Sequence, residues 1–340
     1  MGKLSKIEKY VEIPIHIEEP KETIEHDVER DFGKTIQINN TLITRHANRF
    51  KIWDITELSV ISLISTTDIG WGGAGQMQLE ENFLYISYQE RSALDKILMF
   101  DISDLSNPVH IRTIETPEYS HFFIESGIVY LISSIEQGVV TVDANDKKTK
   151  IIDLSGENQT MFFDTLTNIS KSGNIICVVS RHQGIYIYSR SEDGTYEFRS
   201  KHQPANGYSP TSMQWLIPDQ QLLLIGNDNV VQYDIRDLQK PKRYKAAKIK
   251  TKSVYGTLIE REQEFLVAGN TGAKDKFTMA VLAPSDKGVI VTHKPKIEYK
   301  LRTSFGGTIK TGEPIEGVIL NDDLVLIIGK YTGFFLLKAE

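Results

Sequence analysis

Residues 83–102 read FLYISYQERSALDKILMFDI. Two apolar runs, FLYISYQ (83–89) and KILMFDI (96–102), flank a polar loop that contains Arg91. Each run is too short for an ordinary helix and is rich in Ile, Leu, Phe and Tyr, the composition of a strand. Both runs are nearly continuous in apolar character instead of alternating, which suits a strand covered on both faces. The fragment predicts a β-hairpin held between two further layers.

The same pattern recurs along the chain. Earlier and later hairpins pair TLITRH (41–46) with RFKIWDI (49–55), IVYLISS (128–134) with GVVTVDA (138–144), and NIICVVSRH (174–182) with GIYIYSR (184–190). Three more pair QLLLIGN (221–227) with NVVQYDI (229–235), EFLVAGN (264–270) with FTMAVLA (277–283), and LVLIIGK (324–330) with TGFFLLK (332–338). Asp54, Asp101, Asp143, Ser189, Asp234, Leu282 and Lys338 occupy equivalent places, at successive intervals of 47, 42, 46, 45, 48 and 56 residues. A weaker inner strand precedes each hairpin and an outer strand follows it. Four strands at this period are the signature of a propeller blade.

The sequence therefore predicts an all-β, seven-bladed β-propeller with four-stranded antiparallel blades. Its blades fall at 34–66, 75–115, 121–156, 165–201, 212–249, 254–300 and 315–338, and 1–340 forms one domain. The final hairpin lacks an outer strand, and YVEIPIHIE (10–18) alternates as a strand should. We expect 10–18 to pair beside 332–338 and close the ring, because an unpaired edge leaves backbone donors and acceptors unsatisfied. Residues 19–33 then form an acidic connector.

Three units continue past the hairpin with a shared motif: Asp54-Ile55-Thr56-Glu57-Leu58, Asp101-Ile102-Ser103-Asp104-Leu105-Ser106-Asn107-Pro108, and Asp234-Ile235-Arg236-Asp237-Leu238-Gln239-Lys240-Pro241. This resembles the LVIVD repeat, a propeller-forming unit, most clearly over 49–58, 96–108 and 229–241. The resemblance implies a propeller and no particular activity. An Asp at a strand end can accept hydrogen bonds from amides of the following turn. Pro108 and Pro241 would then open outer strands, where a missing donor is tolerated.

Composition narrows the function classes. Hydrophobic residues make up 40% of the 340 positions, enough for a sizeable core. A net charge of −6 argues against bulk nucleic-acid binding. No apolar run approaches the roughly 20 residues of a membrane-spanning helix, and the first residues lack an apolar signal core. Cys177, the single cysteine, leaves no internal disulfide or cysteine-rich metal site. The expected location is cytoplasmic. The sequence carries no nucleotide-loop, nucleophile-elbow or zinc-protease motif, so no catalytic residue, metal or cofactor is assigned. Cys177 stands inside the apolar run IICVV and reads as a packed core thiol.

Propeller loops that carry function are long ones on a rigid scaffold. The long loops here include GWGGAG (70–75), with Trp71, and YQERSALDK (88–96), PANGYSP (204–210), NTGAKDK (270–276) and RTSFGGTIKTGEP (302–314). Arg45, His46, Arg49, Trp71, Arg91, Arg181, His182 and Lys274 are the candidate partner-binding residues, and the cations among them suit an acidic protein or peptide. Plain solvation is the favoured reading for such scattered charges. Gln76, His121, Gln214, Tyr255 and Glu316 are expected at the mouth of the central channel, where an enzyme or small-ligand site would stand instead. One His and one Glu make a poor metal set. The leading expectation is a non-enzymatic scaffold that binds a protein or peptide on the long-loop face. Residues 240–252, KPKRYKAAKIKTK, carry seven bases and no acid, and the favoured reading is protection of an exposed edge strand by lysine.

Overall fold

The computed structural model describes residues 8–14, 16–18, 35–46, 48–57, 60–70, 76–89, 94–133, 135–155, 166–180, 184–202, 210–226, 229–249, 259–261, 264–270, 277–283, 285, 287–298, 314–319, 324–329 and 333–339. The connector at 19–33 lies outside them. The described residues form strands and no helix. No helix among them is long and apolar enough to cross a membrane.

Strands β1 (Lys9–Ile13) and β2 (His16–Glu18) come first. The first blade is β3 (Thr35–Ile38), β4 (Thr41–Arg45), β5 (Arg49–Asp54) and β6 (Val60–Asp68). The second is β7 (Met77–Glu80), β8 (Phe83–Gln89), β9 (Leu94–Asp101) and β10 (Val109–Tyr119). The third is β11 (His121–Glu125), β12 (Ile128–Ser133), β13 (Gly138–Val142) and β14 (Lys148–Asp153). The fourth is β15 (Leu166–Ser172), β16 (Ile175–Ser180), β17 (Gly184–Arg190) and β18 (Tyr196–His202). The fifth is β19 (Pro210–Ile217), β20 (Gln221–Gly226) and β21 (Asn229–Asp234), with β22 (Lys242–Arg243) and β23 (Ala247–Lys248) both paired to β21. The sixth is β24 (Ile259–Arg261), β25 (Glu264–Asn270), β26 (Phe277–Ala283) and β27 (Ile290–His293). Then come β28 (Lys296–Glu298) and the last blade's β29 (Pro314–Ile319), β30 (Leu324–Gly329) and β31 (Gly333–Ala339).

Within each blade the sequential strands are antiparallel neighbours, the arrangement of propeller blades. Where the third strand meets the outer one, the ladder shifts register, as at Ile52/Trp53, Val139/Val140, Ile187/Tyr188 and Val281/Leu282. A bulge at that place increases local twist, which helps a small sheet fit the tilt of a blade.

Burial explains the continuous apolar runs. All six residues of β16 are buried, and alternate side chains serve opposite neighbours. Ile176 and Val178 pack with Tyr130, Ile132 and Val139 of the third blade. Ile175, Cys177 and Val179 pack with Leu222, Leu224 and Tyr233 of the fifth. The same division holds at β4: Ile43 joins Met77, Leu84 and Ile86 of the second blade, while Leu42 joins Leu326, Phe334 and Leu336 of the last. Trp53 and Phe334 meet edge-on, their ring centroids 5.4 Å apart. Side chains of β4 and β5 thus pack with those of β30 and β31.

The N-terminal run differs from expectation. Instead of one strand at 10–18 there are two. β1 pairs antiparallel with β31, with Tyr10 opposite Ala339, Val11 opposite Lys338 and Ile13 opposite Leu336. β2 pairs parallel with β6, with His16 opposite Val60. Pro14 separates the two; it supplies no amide donor, so the ladder breaks there. The outer strand expected at the end of the 254–300 unit also divides: β27 stays in the sixth blade and β28 leaves it to pair parallel with β1.

Candidate functional site

The Asp motif does local work. Asp54 Oδ1 accepts from the Thr56 amide at 2.8 Å, Asp101 from Ser103 at 2.8 Å, Asp143 from Asn145 at 2.8 Å and Asp234 from Arg236 at 3.2 Å. Hydrogen bonds from the Thr56 side chain and amide hold the Asp54 carboxyl below the usual carboxylate range, and those from the Ser103 amide and side chain do the same for Asp101. The residues shape turns, as expected, and Pro108 and Pro241 stand just before β10 and β22.

The first hairpin corrects two of the candidate partner contacts. Arg45 is the final residue of β4 and is fully buried, and His46 is 4% exposed. The cause is strand alternation. Arg45 shares a face with Ile43 and so enters the seam with the second blade, where its charge is felt by buried Tyr119. Thr44 and His46 take the other side: Trp53 Nε1 donates to Thr44 Oγ1 at 2.8 Å, and Thr44 Oγ1 lies 3.1 Å from His46 Nε2. Lys51, 1% exposed, places Nζ 5.4 Å from the Trp53 ring centroid. Burial, then the charges of Lys51, Arg49 and Arg45, push the His46 pKa down to about 3, so its imidazole is neutral near pH 7. Burial lowers Arg45 to about 10, which leaves it charged. Neither residue can touch a surface partner. Arg49 is half-buried and reaches Asp68 Oδ1 from Nε at 3.6 Å. Trp71, Arg91, Arg181, His182 and Lys274 lie outside the described residues.

Of the residues expected at the channel mouth, Gln76 is engaged elsewhere. The Gln76 side chain is committed to the seam with the next blade, where Oε1 accepts from the Phe122 amide at 3.0 Å. Gln78 and Glu80 repeat the device at a two-residue interval. Gln78 Oε1 accepts from Ile124 N at 2.8 Å, and its Nε2 donates to Phe122 O at 2.8 Å. Glu80 accepts from the amides of Ser126 and Gly127, the latter at 2.8 Å. Ser126 and Gly127 both have positive φ, 54° and 71°, so their turn presents successive amides to that carboxylate. Further seams carry Lys171 with Glu125, and Trp215 Nε1 donating to Ser170 Oγ at 2.8 Å. His121 and Gln214 are half-buried on β11 and β19. Glu316 stands in β29 opposite Ile328, and Tyr255 lies outside the described residues. Among the described residues no three His, Cys, Asp or Glu side chains converge as metal ligands. Cys177 is fully buried, and burial pushes its thiol well up, as suits a core position.

A groove that the sequence did not indicate lies between the first and second blades. It has a volume of about 460 Å³ and is lined by Asp68, Ile69, Tyr88, Lys96, Leu98, Phe100, His110 and Thr113. It begins at the hairpin ends, where Asp68 holds Arg49, and runs outward along β9 and β10. Phe100 forms the floor, packed edge-on against Phe50 at 5.1 Å and tilted against exposed His110 at 5.2 Å. His110 and Phe100 are direct partners in the ladder, and Thr113 Oγ1 lies 3.3 Å from His110 Nε2. Lys96 Nζ is 3.5 Å from Glu115. Gly70, at φ 76°, lets Tyr88 lie close: a Cβ there would stand 3.2 Å from the Tyr88 hydroxyl. Its lining is mixed: Asp68, Lys96, His110 and Thr113 stand beside Ile69, Leu98 and Phe100.

No protein-family model matches the chain, and no curated protein matches it in sequence. Solved structures do match it, over nearly its whole length. Streptogramin B lyase superposes with a TM-score of 0.61 at 10% identity, covering 93% of this chain and 96% of that one. The N-terminal domain of Nup159 gives 0.54 at 12% identity, covering 96% and 99%. A chain of the S. cerevisiae complex of Dbp5 bound to Nup159, Gle1, IP6 and ADP gives 0.54 at 10% identity, covering 98% and 94%. These neighbours are β-propellers. The fold is the same; at such identities nothing more carries over.

Proposed function

We propose that this chain is a single-domain, seven-bladed propeller of the LVIVD type that binds an extended segment of a protein or peptide in the groove between Asp68 and Thr113. The blade count comes from reading each set of strands above as one blade. Closure is supported by the pairing of β1 with β31 and by the packing of Trp53 on Phe334. A propeller that serves as a binding platform has a parallel in Nup159, seen bound with Dbp5, and one that serves as an enzyme has a parallel in streptogramin B lyase. The observation that carries the binding reading is the groove itself, open to solvent and lined by Tyr88 and Phe100 together with Asp68, Lys96 and His110. An apolar side chain of the partner sits against Phe100, and an acidic one competes with Glu115 for Lys96. Cytoplasmic location belongs to the same proposal and is supported by a lone, buried thiol.

Selection from a displayed library of random dodecapeptides tests this directly. The expected result is enrichment of sequences that combine an aromatic or branched aliphatic residue with an acid. Lys96→Glu with His110→Glu, both on the rim, should cut binding of the enriched peptides about tenfold or more. Enrichment that survives both substitutions, or no enrichment at all, removes the groove as the binding site.

A further inference from the structure

We propose that the outer rim of the fifth blade is a second docking surface, independent of the groove, for a short acidic protein segment. The outer strand of this blade is broken. β22 and β23 each pair for two residues with β21, and Tyr244 between them is held by its amide donating to Gln232 O at 3.0 Å. Lys240, Lys242, Arg243, Lys245 and Lys248 are exposed along this strip. The sixth blade adds a base. A Cβ on Gly288, at φ 95°, would stand 2.4 Å from Tyr244 Cβ, so the turn Ser285–Gly288 lies directly on Tyr244 and brings exposed Lys287 to the strip. Ser285 fixes that turn, accepting from the Lys287 amide at 3.2 Å and donating to Gly288 O at 2.5 Å. Lys242 Nζ lies 4.6 Å from the Tyr244 ring centroid. Lys242 thus lies over the Tyr244 ring, and Lys287 belongs to the turn that abuts Tyr244.

Among the described residues, the carboxylates that end and follow β21 are already engaged. Asp234 pairs with Arg236 at 2.5 Å, and Asp237 accepts from the amides of Gln239 and Lys240 at 3.0 and 3.1 Å. Among the described residues Lys242, Arg243, Lys245 and Lys287 make no ion pair. Protection of an edge strand needs charge on that edge alone; it gives no reason for a base from the next blade to join. The net charge of −6 selects the size of the occupant. A bilayer or a nucleic-acid duplex would meet the acidic remainder of the molecule, whereas a short peptide meets only the strip. The nine residues 240–248 could span at most about 30 Å even if fully extended, so the strip takes only a short segment.

Fluorescence anisotropy with a labelled Glu-rich peptide of about ten residues, at low and at physiological salt, tests the assignment. The full chain should bind the peptide, more weakly as salt rises. Lys242→Gln, Arg243→Gln, Lys245→Gln and Lys287→Gln together should weaken binding at least about tenfold, while Lys147→Gln with Lys148→Gln, exposed bases of the third blade, should change it less than about twofold. Circular dichroism verifies the fold, and Lys242→Gln with Lys245→Gln replaces the fourfold variant if that one does not fold. Equal binding by the variant and the unaltered chain overturns the proposal. So does failure to bind the peptide, whether or not duplex DNA or phosphatidylserine vesicles bind.

Discussion

His46 shows how much a single residue depends on the blade next door. Its imidazole is neutral because burial and three neighbouring cations hold the folded pKa at about 3, against an ordinary value of 6.5. Between those limits the unfolded chain binds a proton that the folded chain does not, so stability falls as pH is lowered through that window, by roughly 1.4 kcal/mol per pH unit. Asp153 and Asp193, held at about 2 by their turn hydrogen bonds, act in the same direction, but only below about pH 4. Thermal unfolding of the unaltered chain should therefore drop steadily from pH 6 to pH 4. His46→Gln, which cannot titrate, should flatten that drop; an unchanged slope would mean that His46 is not buried neutral. The position of His46 was not legible in the sequence. TRHANR reads as a polar hairpin loop, and only the alternation set by Leu42 and Ile43 against two different neighbouring blades turns Arg45 and His46 inward.

At the scale of elements, the runs 83–89 and 96–102 were readable because both faces of each strand are covered, and a continuous apolar run has few other uses. The observed strands, Phe83–Gln89 and Leu94–Asp101, follow them closely. Outer strands were less readable: one face and one edge are exposed, so breaks such as Lys242–Arg243 and Ala247–Lys248 leave little mark in the composition. The seams between inner strands were misread. Gln76, Gln78 and Glu80 alternate along one strand, and nothing local says whether that face looks to a channel or to the backbone of the next blade. The hydrogen bonds decide it. Gln78→Ala removes an acceptor from Ile124 N and a donor from Phe122 O, and we expect it to cost about 1–3 kcal/mol in urea unfolding. An effect below about 0.5 kcal/mol would show that the seam amides find other partners.

At the scale of the molecule, the repeat period was the clearest sequence signal, and it reappears in space. The side-chain to backbone bonds of the seam join residues 44 to 47 apart, about one unit of the repeat. Candidate sites were much less legible, because the groove is assembled from Asp68 and Ile69 on one blade and Tyr88 to Thr113 on the next, residue types that mean little singly. The whole arrangement depends on the two ends of the chain meeting in one sheet. Oxidative cross-linking of Val11→Cys with Lys338→Cys, in a Cys177→Ser background, measures that meeting, since Val11 and Lys338 are paired across β1 and β31. The expected result is a near-quantitative intramolecular disulfide under mild oxidation, absent from a Val11→Cys, Lys148→Cys control. Cross-linking no greater than in the control would contradict ring closure by the N-terminal strand.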